Sequence, residues 1–493
     1  MGSQTYGYLV AFAAAIGGLL FGYEIGVVSQ VLAMPSFGFF FDLLVWLPVN
    51  DSHYNDVDCI KFNETYGACH NGSNYSTGVG LVTSTFLIGC AAGSILVSML
   101  ADWWGRKKCI IASGVVFLVG GALQAAATNS AMLYIGRVVS GLAIGVLSMV
   151  VPLYISEAAP TEIRGRMIAI NQLMITIGIV IASLVNSAII LSYGSKNLDQ
   201  SEWRLALSLQ CIPAFCLAVV MFFMPESPRW LAEKGRDDES LAIIAKLRSS
   251  PTSDSLVIQE FQEIIDGVQF ERAVGNGSWS ELFSKGLFNR VIITIVMQMF
   301  QQWTGINVIL YYQSELLRGM GLDPEQANIP FTIANNVINC LGTFPGMYLI
   351  EKLGRRPLLF WGGIGMATAH FLICLFVNLQ FKDIGVPFTS YLAVFSVWIF
   401  LLSFGSTWGP IAWVYQSEIF PLRVRAKGTG LATLSNWVNN AIIAFTNPLI
   451  TEALAPNKQQ MYLIFGNYIF FVIVYLFRYY WIDDGYLCLL FRS

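Results

Sequence analysis

The sequence predicts an all-α membrane protein with 12 transmembrane helices in two six-helix halves. The prediction rests on a composition too apolar for a water-soluble protein, on apolar runs long enough to cross a membrane, and on charged motifs that occur in both halves. Of the 493 residues, 55% are hydrophobic and 12% are charged, whereas about a quarter of the residues of a soluble chain are charged. The apolar runs reach about 18 to 25 residues, enough to cross a hydrocarbon layer of roughly 30 Å.

The predicted spans form two groups of six, separated by a polar linker at 225–287. Apolar residues of the linker recur at helical spacing, and we expect short amphipathic helices at the membrane surface there. The predicted domains are therefore 1–224, with an outer loop at about 32–77, then the linker, then 288–493. We expect spans at about 7–31, 78–101, 109–128, 131–155, 167–192, 204–224, 288–313, 328–350, 357–378, 388–414, 426–447 and 460–482.

Lys and Arg in the short loops set the orientation, because cytoplasmic loops carry the excess of basic residues. They place both termini and the linker in the cytoplasm and the loop at 32–77 outside. Glycosylation sequons at Asn63, Asn71 and Asn74 lie in that loop, as expected on the outer face of a plasma-membrane protein. Cys59 and Cys69 share the loop, either as a disulfide or as two free thiols. The basic loops hold Arg106, Lys107, Lys108, Arg164, Arg166, Lys352, Arg355, Arg356, Arg423, Arg425 and Lys427.

Several classes of function have little support in the composition. The net charge of −3 offers no basic face to nucleic acid. The histidines, His53, His70 and His370, are scattered, and the nine cysteines contain no CxxC pair. We therefore expect no metal, no organic cofactor, no nucleic-acid partner and no enzyme activity.

Six short strings in order along the chain resemble those of the sugar porter family of the major facilitator superfamily, over residues 7 to about 475. The resemblance implies the major facilitator fold and transport of a monosaccharide, such as glucose, by alternating access. The C-terminal end departs from the family pattern, because span 12 runs into Arg478-Tyr-Tyr-Trp-Ile-Asp-Asp. The strings are Gly105-Arg-Lys-Lys, Pro152-Leu-Tyr-Ile-Ser-Glu, Pro225-Glu-Ser-Pro-Arg-Trp-Leu, Gln301-Gln-Trp-Thr-Gly-Ile-Asn, Gly354-Arg-Arg-Pro, and Trp408-Gly-Pro with Glu418-Ile-Phe-Pro.

A sugar site needs neutral amides, because sugar hydroxyls both donate and accept hydrogen bonds. It also needs aromatic faces that pack against the sugar ring. Hydrogen bonding between helices is the alternative role for each amide, and we prefer that role for Gln298, Asn335 and Asn440. We also expect Gly305 to break span 7, so that its outer half bends over the sugar. By the resemblance, the substrate-binding residues are Phe21, Gln172, Gln301, Gln302, Asn307, Asn339, Trp408 and Asn436, with Trp413 as a further candidate.

Charges inside the predicted spans are few, and they include Glu24 in span 1 and Arg137 in span 4. An intramembrane charge costs at least about 2.5–3.5 kcal/mol, so such residues are usually paired and functional. In proton-coupled members of the family these positions usually hold Asp and Arg. The resemblance thus implies a proton/sugar symporter driven by the proton gradient and functional as a monomer. A structural ion pair in a facilitative uniporter, or a non-transporting sugar sensor, is the alternative.

Charged residues also recur at the inner ends of both halves. The string after span 2 matches the string after span 8, and those after spans 4 and 10 also match. In the family such clusters form ion pairs that close the inner side, and solvated loop charges are the alternative. The expected cytoplasmic gate consists of Arg106, Glu157, Arg164, Glu226, Arg355, Glu418 and Arg425.

Overall fold

The twelve predicted crossings are all present as helices, so the predicted fold class is confirmed. The structure, a computed structural model, describes residues 5–47, 60–63, 67–159, 164–194, 197–274, 279–284, 286–323, 327–381, 388–455 and 457–481. Within these residues, eight helical stretches are long and apolar enough to cross a membrane by themselves. The other four crossings, spans 7, 8, 11 and 12, are helices that are broken, or carry polar residues, or have a shorter apolar segment.

The six crossings of the first half follow the predicted order. Span 6 has a short irregularity at Gln210 between two helices. Spans 2 and 3 are separated only by Gly105, whose φ of 96° favours glycine. The helices are Thr5–Val31 (span 1), Tyr75–Trp104 (span 2), Arg106–Ala125 (span 3), Ser130–Ala158 (span 4), Arg164–Tyr193 (span 5), and Ser201–Leu209 with Cys211–Phe223 (span 6).

The linker is helical, as predicted, and part of it packs against the inner end of span 1. Lys246 places its ammonium 4.8 Å from the ring centre of Tyr6, a cation–π contact between the linker and span 1. The first helix begins with Ser227, whose hydroxyl accepts from the Trp230 N–H as an N-cap. The helices are Pro228–Glu233, Asp237–Arg248 and Ser255–Val274, followed by a 3₁₀ turn at Trp279–Phe283.

The second half contains two crossings with breaks that expose backbone groups. Span 7 stops at Gln302 and restarts at Ile306, and Gly305 between them has a φ of 86°. The predicted break is confirmed, and the freed carbonyl of Thr304 lies 2.9 Å from Nε2 of His370. The helices are Phe288–Gln302, Ile306–Tyr311 and Gln313–Gly319 (span 7), Ala327–Phe331 and Thr332–Leu353 (span 8), Arg355–Phe381 (span 9), Phe388–Ser406 and Trp408–Glu418 (span 10), Leu422–Ala453 (span 11), and Gln460–Trp481 (span 12).

The outer loop has secondary structure that the sequence did not lead us to expect. A helix at Pro35–Phe40 is followed by three antiparallel strands, β1 (Leu44–Leu47), β2 (Ile60–Asn63) and β3 (Gly67–Asn71), in the order β1-β3-β2. Cys59 lies outside the described residues. Of the sequon residues, Asn63 ends β2, Asn71 ends β3, and Asn74 is exposed before span 2.

Glycines let spans 1 and 5 approach until their backbones touch. A Cβ added to Gly22 would stand 1.8 Å from the carbonyl oxygen of Ile175, and one added to Gly178 would stand 2.2 Å from that of Leu19. Small residues at helix interfaces permit this approach inside a membrane. The contact fixes span 1, which carries Glu24, against span 5, which carries Gln172.

We therefore expect Gly22→Val to separate spans 1 and 5 and to cost more than the roughly 1–3 kcal/mol of an overpacked core. Gly267→Val is the control, because nothing lies within 4 Å of a Cβ at that linker position. Size-exclusion profiles and thermal melting of the detergent-solubilised protein measure both variants. Equal melting temperatures for the two variants would show that the close approach is unimportant.

Candidate functional site

A cavity lies between the two halves, lined by spans 1 and 5 on one side and spans 7, 8, 10 and 11 on the other. The empty space that its residues enclose is about 630 Å³, including open space at its mouth. Seven of the eight residues predicted to bind substrate line this cavity: Phe21, Gln172, Gln301, Gln302, Asn307, Asn339 and Asn436.

The eighth predicted residue, Trp408, lies beside the cavity rather than on its surface. Its indole is 2% exposed and donates from Nε1 to the carbonyl of Leu359 at 2.9 Å, which fixes span 10 to span 9. Trp413, one and a half turns further along span 10, lines the cavity instead. Both tryptophans belong to the helix Trp408–Glu418, and five residues at 3.6 per turn place them about 140° apart around its axis, so they face different neighbours.

Aromatic residues from both halves meet at the cavity wall. Phe21 of span 1 packs edge-on against Trp437 of span 11, with ring centres 5.2 Å apart. Trp437 also places its Nε1 3.4 Å from the Ser148 hydroxyl across the interface. Sequence reasoning missed Trp437, although its position directly after Asn436 was a usable signal. Other lining residues that it missed are Ile25, Ile175, Thr176, Ile179, Thr343 and Phe404.

A chain of hydrogen bonds holds the amides of spans 7, 10 and 11 in fixed orientations. Gln301 donates from Nε2 to the carbonyls of Trp408 and Gly409, at 2.9 and 3.1 Å, where span 10 restarts. Asn436 donates from Nδ2 to Oε1 of Gln301 at 2.8 Å and to Oε1 of Gln298 at 2.6 Å. Pre-oriented polar groups lower the ordering cost of ligand binding. Gln298 itself connects spans, as expected, by donating to Ala412 and Gln416.

Other amides of the cavity lie at the break in span 7 or opposite it. Asn307 donates to Oε1 of Gln302 across the break. Asn440, for which we preferred a bonding role between helices, lines the cavity and donates to the Tyr311 hydroxyl at 3.3 Å. Gln172 of span 5 is half-buried, and its side chain has no hydrogen bond within the described residues. Gln172 is therefore the amide most available to a ligand from the first half.

Glu24 and Arg137 form an ion pair buried inside the first half. Their side chains are 1% and 3% exposed, and Nη1 of Arg137 donates to Oε1 of Glu24. Arg137 also donates from Nε to the Val82 carbonyl at 2.9 Å and stacks over the Phe86 ring at 4.9 Å. The other carboxylate oxygen of Glu24, Oε2, is buried and has no hydrogen-bond partner in the described structure.

This ion pair is one helical turn from the cavity. Phe21 and Ile25, which flank Glu24 on span 1, both line the cavity, whereas the Glu24 side chain faces span 4. Residues three or four apart on a helix are neighbours. Span 1 thus carries Glu24 on one side and residues that line the cavity on another.

Charged residues form a buried network at the end of the first half that lies beside the linker. Nε of Arg106 lies 2.9 Å from Oε2 of Glu157, and both side chains are less than 10% exposed. Glu157 also accepts from the Ser227 hydroxyl at 2.5 Å. Glu226 accepts from the backbone N–H groups of Lys107 and Ser227. The network joins spans 3 and 4 to the start of the linker.

Burial raises the pKa of two carboxyl groups in this network, Glu226 and Glu233. Desolvation is the main cause in each, opposed at Glu226 first by the backbone N–H of Lys107 and at Glu233 by the charge of Arg106. A carboxyl whose pKa is higher in the folded than in the unfolded protein favours folding most at low pH, and its contribution falls as pH rises. Glu233 also lies 3.7 Å from Arg106 and was not among the predicted gate residues.

The matching cluster in the second half is exposed. Arg355 donates to both carboxylate oxygens of Glu418, at 3.2 and 2.6 Å, yet these side chains are 37% and 45% exposed. Arg425 donates to the Phe420 carbonyl at 3.3 Å. Arg164 begins the helix of span 5, but its side chain lies outside the described residues. The charged strings of the two halves are therefore similar in sequence, but their side chains are not equally buried.

The two helical halves, the broken spans and the intervening polar cavity define a membrane transporter of the major facilitator fold. The family described as "Sugar (and other) transporter" matches residues 10–481. The chain belongs to this family, whose members are transporters and not enzymes.

Known relatives align with nearly the whole chain, in sequence or in structure. The glucose transporter GlcP of Staphylococcus epidermidis is 32% identical over 459 residues, covering 93% of this chain and 90% of the relative. The high-affinity hexose transporter HXT6 of Saccharomyces cerevisiae is 33% identical over 475 residues, covering 94% of this chain and 77% of the relative. A structure of the proton:xylose symporter XylE bound to 6-bromo-6-deoxy-D-glucose superposes with a TM-score of 0.78 at 27% identity, covering 97% and 96% of the two chains.

The unequal burial of the two inner clusters leads to a testable difference. We expect Arg106→Ala to cost about 3–5 kcal/mol, because it leaves the Glu157 carboxylate buried without its ion pair. Arg355→Ala, the matched control, should cost about 0–1 kcal/mol, because Arg355 and Glu418 are exposed. Thermal melting of the purified variants compares the two changes. A similar loss in both would contradict the assignment of a buried network to the first half alone.

Proposed function

We propose that the protein carries a neutral monosaccharide, a hexose such as glucose, across the plasma membrane together with a proton. The sugar binds in the central cavity while the two halves expose it to one side of the membrane and then to the other. The proton binds to Glu24, and the proton gradient is the energy source. The buried, unpartnered oxygen Oε2 of Glu24 is the observation on which the proton-coupled mechanism chiefly rests.

Cavity chemistry supports a neutral polyhydroxylated substrate. The amides of Gln172, Gln302, Asn307, Asn339 and Asn436 present both donors and acceptors, as sugar hydroxyls require. The rings of Phe21, Trp413 and Trp437 supply apolar surface in the same cavity. The names of the relatives support the same substrate class, since they include glucose, hexose and xylose transporters.

Burial of the ion pair supports a role for Glu24 in coupling. While Arg137 is in contact, the carboxylate is compensated, and a proton is needed to neutralise it when the two separate in a low-dielectric interior. One elementary charge crossing 100 mV is worth about 2.3 kcal/mol, which equals a concentration ratio of roughly fifty. A symporter of this kind accumulates sugar against its gradient.

A facilitative carrier is the second candidate. The contacts of Arg137 with Val82, Phe86 and Gln124 are all within the first half, so the pair would also serve as a fixed structural link between span 1 and span 4. In such a carrier the pair stays closed throughout the cycle and sugar only equilibrates. A sugar sensor would bind substrate without transport.

The proposal extends to orientation and assembly. Basic residues such as Arg106, Arg355 and Lys427 lie at one end of the bundle with the linker, which supports a cytoplasmic location for that end and for both termini. The cavity lies between the halves of a single chain, so one chain contains the complete transport unit and works as a monomer. The sequons at Asn63, Asn71 and Asn74 then lie on the outer side, where glycosylation takes place.

Glu24→Gln is expected to abolish sugar accumulation while sparing sugar exchange, because the amide cannot carry a proton. Accumulation by the unaltered protein should collapse with a protonophore. Glu202→Gln is the control, since Glu202 is also buried but accepts from the Ser36 hydroxyl at the outer end of span 6. Radiolabelled uptake in a transporter-deficient cell measures all three. Uptake by the unaltered protein that only equilibrates the sugar, and that neither the protonophore nor Glu24→Gln changes, would favour the facilitative carrier. Sugar binding without uptake would favour the sensor.

Gln172→Leu is expected to raise the KM for sugar by about tenfold while leaving the melting temperature of the protein unchanged. The amide makes no hydrogen bond to the described residues, so its loss costs substrate binding and not folding, and one or two lost hydrogen bonds are worth about 0.5–3 kcal/mol. Gln313→Leu is the control, because Gln313 is a buried amide that faces a separate small pocket. A fall in stability without a change in KM would contradict the binding role of Gln172.

A further inference from the structure

Four polar residues lie buried on the outer side of the central cavity. Ser29 and Gln30 belong to span 1, Asn186 to span 5 and Asn336 to span 8, and each side chain is at most 2% exposed. Each has at least one polar atom without a hydrogen-bond partner in the described structure: Oγ of Ser29, Oε1 of Gln30, Oδ1 of Asn186, and both Oδ1 and Nδ2 of Asn336.

Three of these residues lie on the helix faces that line the cavity. Ser29 is four residues beyond Ile25, Asn186 is seven beyond Ile179, and Asn336 is seven before Thr343 along a span that runs in the opposite direction. These separations correspond to about one or two helical turns, or about 6–10 Å toward the outside. The polar face of the cavity therefore continues outward beyond it.

The helices that carry these residues pack against one another. Span 1 packs on span 5, and span 5 packs on span 8 across the two halves. Asn186 donates from Nδ2 to the Val27 carbonyl of span 1 at 3.3 Å, two residues before Ser29 in the same helix.

Gln30 joins the two halves at this level. Its Nε2 donates to the Ser187 hydroxyl at 2.9 Å and to the Asn328 carbonyl of span 8 at 2.8 Å. Asn328 in turn accepts on its side chain from the Ser314 hydroxyl of span 7 at 2.9 Å. Opening of the outer side must break the bond between Gln30 and Asn328, because it connects opposite halves.

Buried polar atoms without partners are costly, at roughly 1–3 kcal/mol each. Apolar residues would fill the same space in the closed interface at lower cost. A cluster of this kind is understandable if its atoms gain partners in another conformation of the same cycle.

We propose that Ser29, Asn186 and Asn336 form a second binding site for sugar hydroxyls, here called the outer subsite, which Gln30 closes. The outer subsite binds the substrate when the outer side is open. It then passes the substrate to the central cavity, which lies about one or two helical turns deeper. Its groups are a hydroxyl and two amides, and neutral donors and acceptors of this kind suit a polyol and not an ion. The inference rests on the proposed sugar transport, because it assigns a further site to the same substrate.

Measurements of KM from each side of the membrane test the outer subsite in the full-length protein. Asn186→Leu and Asn336→Leu should each raise the KM for influx about two- to tenfold, the effect of one or two lost hydrogen bonds. The KM for efflux should stay within twofold, because substrate arriving from the inside reaches the central cavity first. Asn336→Ser retains a hydroxyl and should restore much of the influx KM.

Stability provides a second measurement. Asn186→Leu and Asn336→Leu should keep or raise the melting temperature, because the removed amide atoms have few hydrogen-bond partners in the closed state. Gln313→Leu is the matched control, since both amide atoms of Gln313 also lack partners but face a separate pocket. That variant should change neither KM.

Different outcomes separate the two proposals. Influx and efflux KM values that change equally, or not at all, in Asn186→Leu and Asn336→Leu would overturn the outer subsite while leaving sugar transport intact. Absence of any monosaccharide uptake by the unaltered protein would contradict the proposed function, and the outer subsite with it.

Discussion

Polar groups inside a membrane have no water to bind, and this constraint governs the whole molecule. The backbone meets it by forming helices, and most intramembrane side chains meet it by pairing. Gln298, Gln301 and Asn436 bind one another, and Gln301 also binds carbonyls of span 10, while Arg137 compensates Glu24. Among the described residues, Oε2 of Glu24 is a charged, buried atom without a hydrogen-bond partner, which makes this position informative for function.

The breaks in spans 7 and 10 convert this constraint into a site. The break in span 7 frees the carbonyl of Thr304, which lies 2.9 Å from Nε2 of His370. At the start of the second helix of span 10, the carbonyls of Trp408 and Gly409 accept from Gln301. The amides are thereby held at the cavity wall in fixed orientations before any ligand arrives. The same breaks allow the outer half of span 7 to move relative to the inner half, as a carrier with alternating access requires.

The two halves of the chain carry similar charged strings but use them differently. In the first half, the linker packs under spans 3 and 4, so Arg106 and Glu157 are buried with Ser227. In the second half, Arg355 and Glu418 bind each other in a more exposed position. A duplicated motif thus gives a rigid inner end in one half and a weaker, solvent-screened pair in the other.

The sequence by itself determined the number and order of the crossings and the break at Gly305. Of the eight residues predicted from it to bind substrate, seven line the cavity. These features depend on local run length, residue type and family motifs. Only the tertiary structure decided that Trp408 faces span 9, that Trp437 meets Phe21, that the outer loop contains a sheet, and that Gln30 joins the halves. Each of these depends on which helix faces meet, and contacts between residues far apart in sequence leave no periodic signal along the chain.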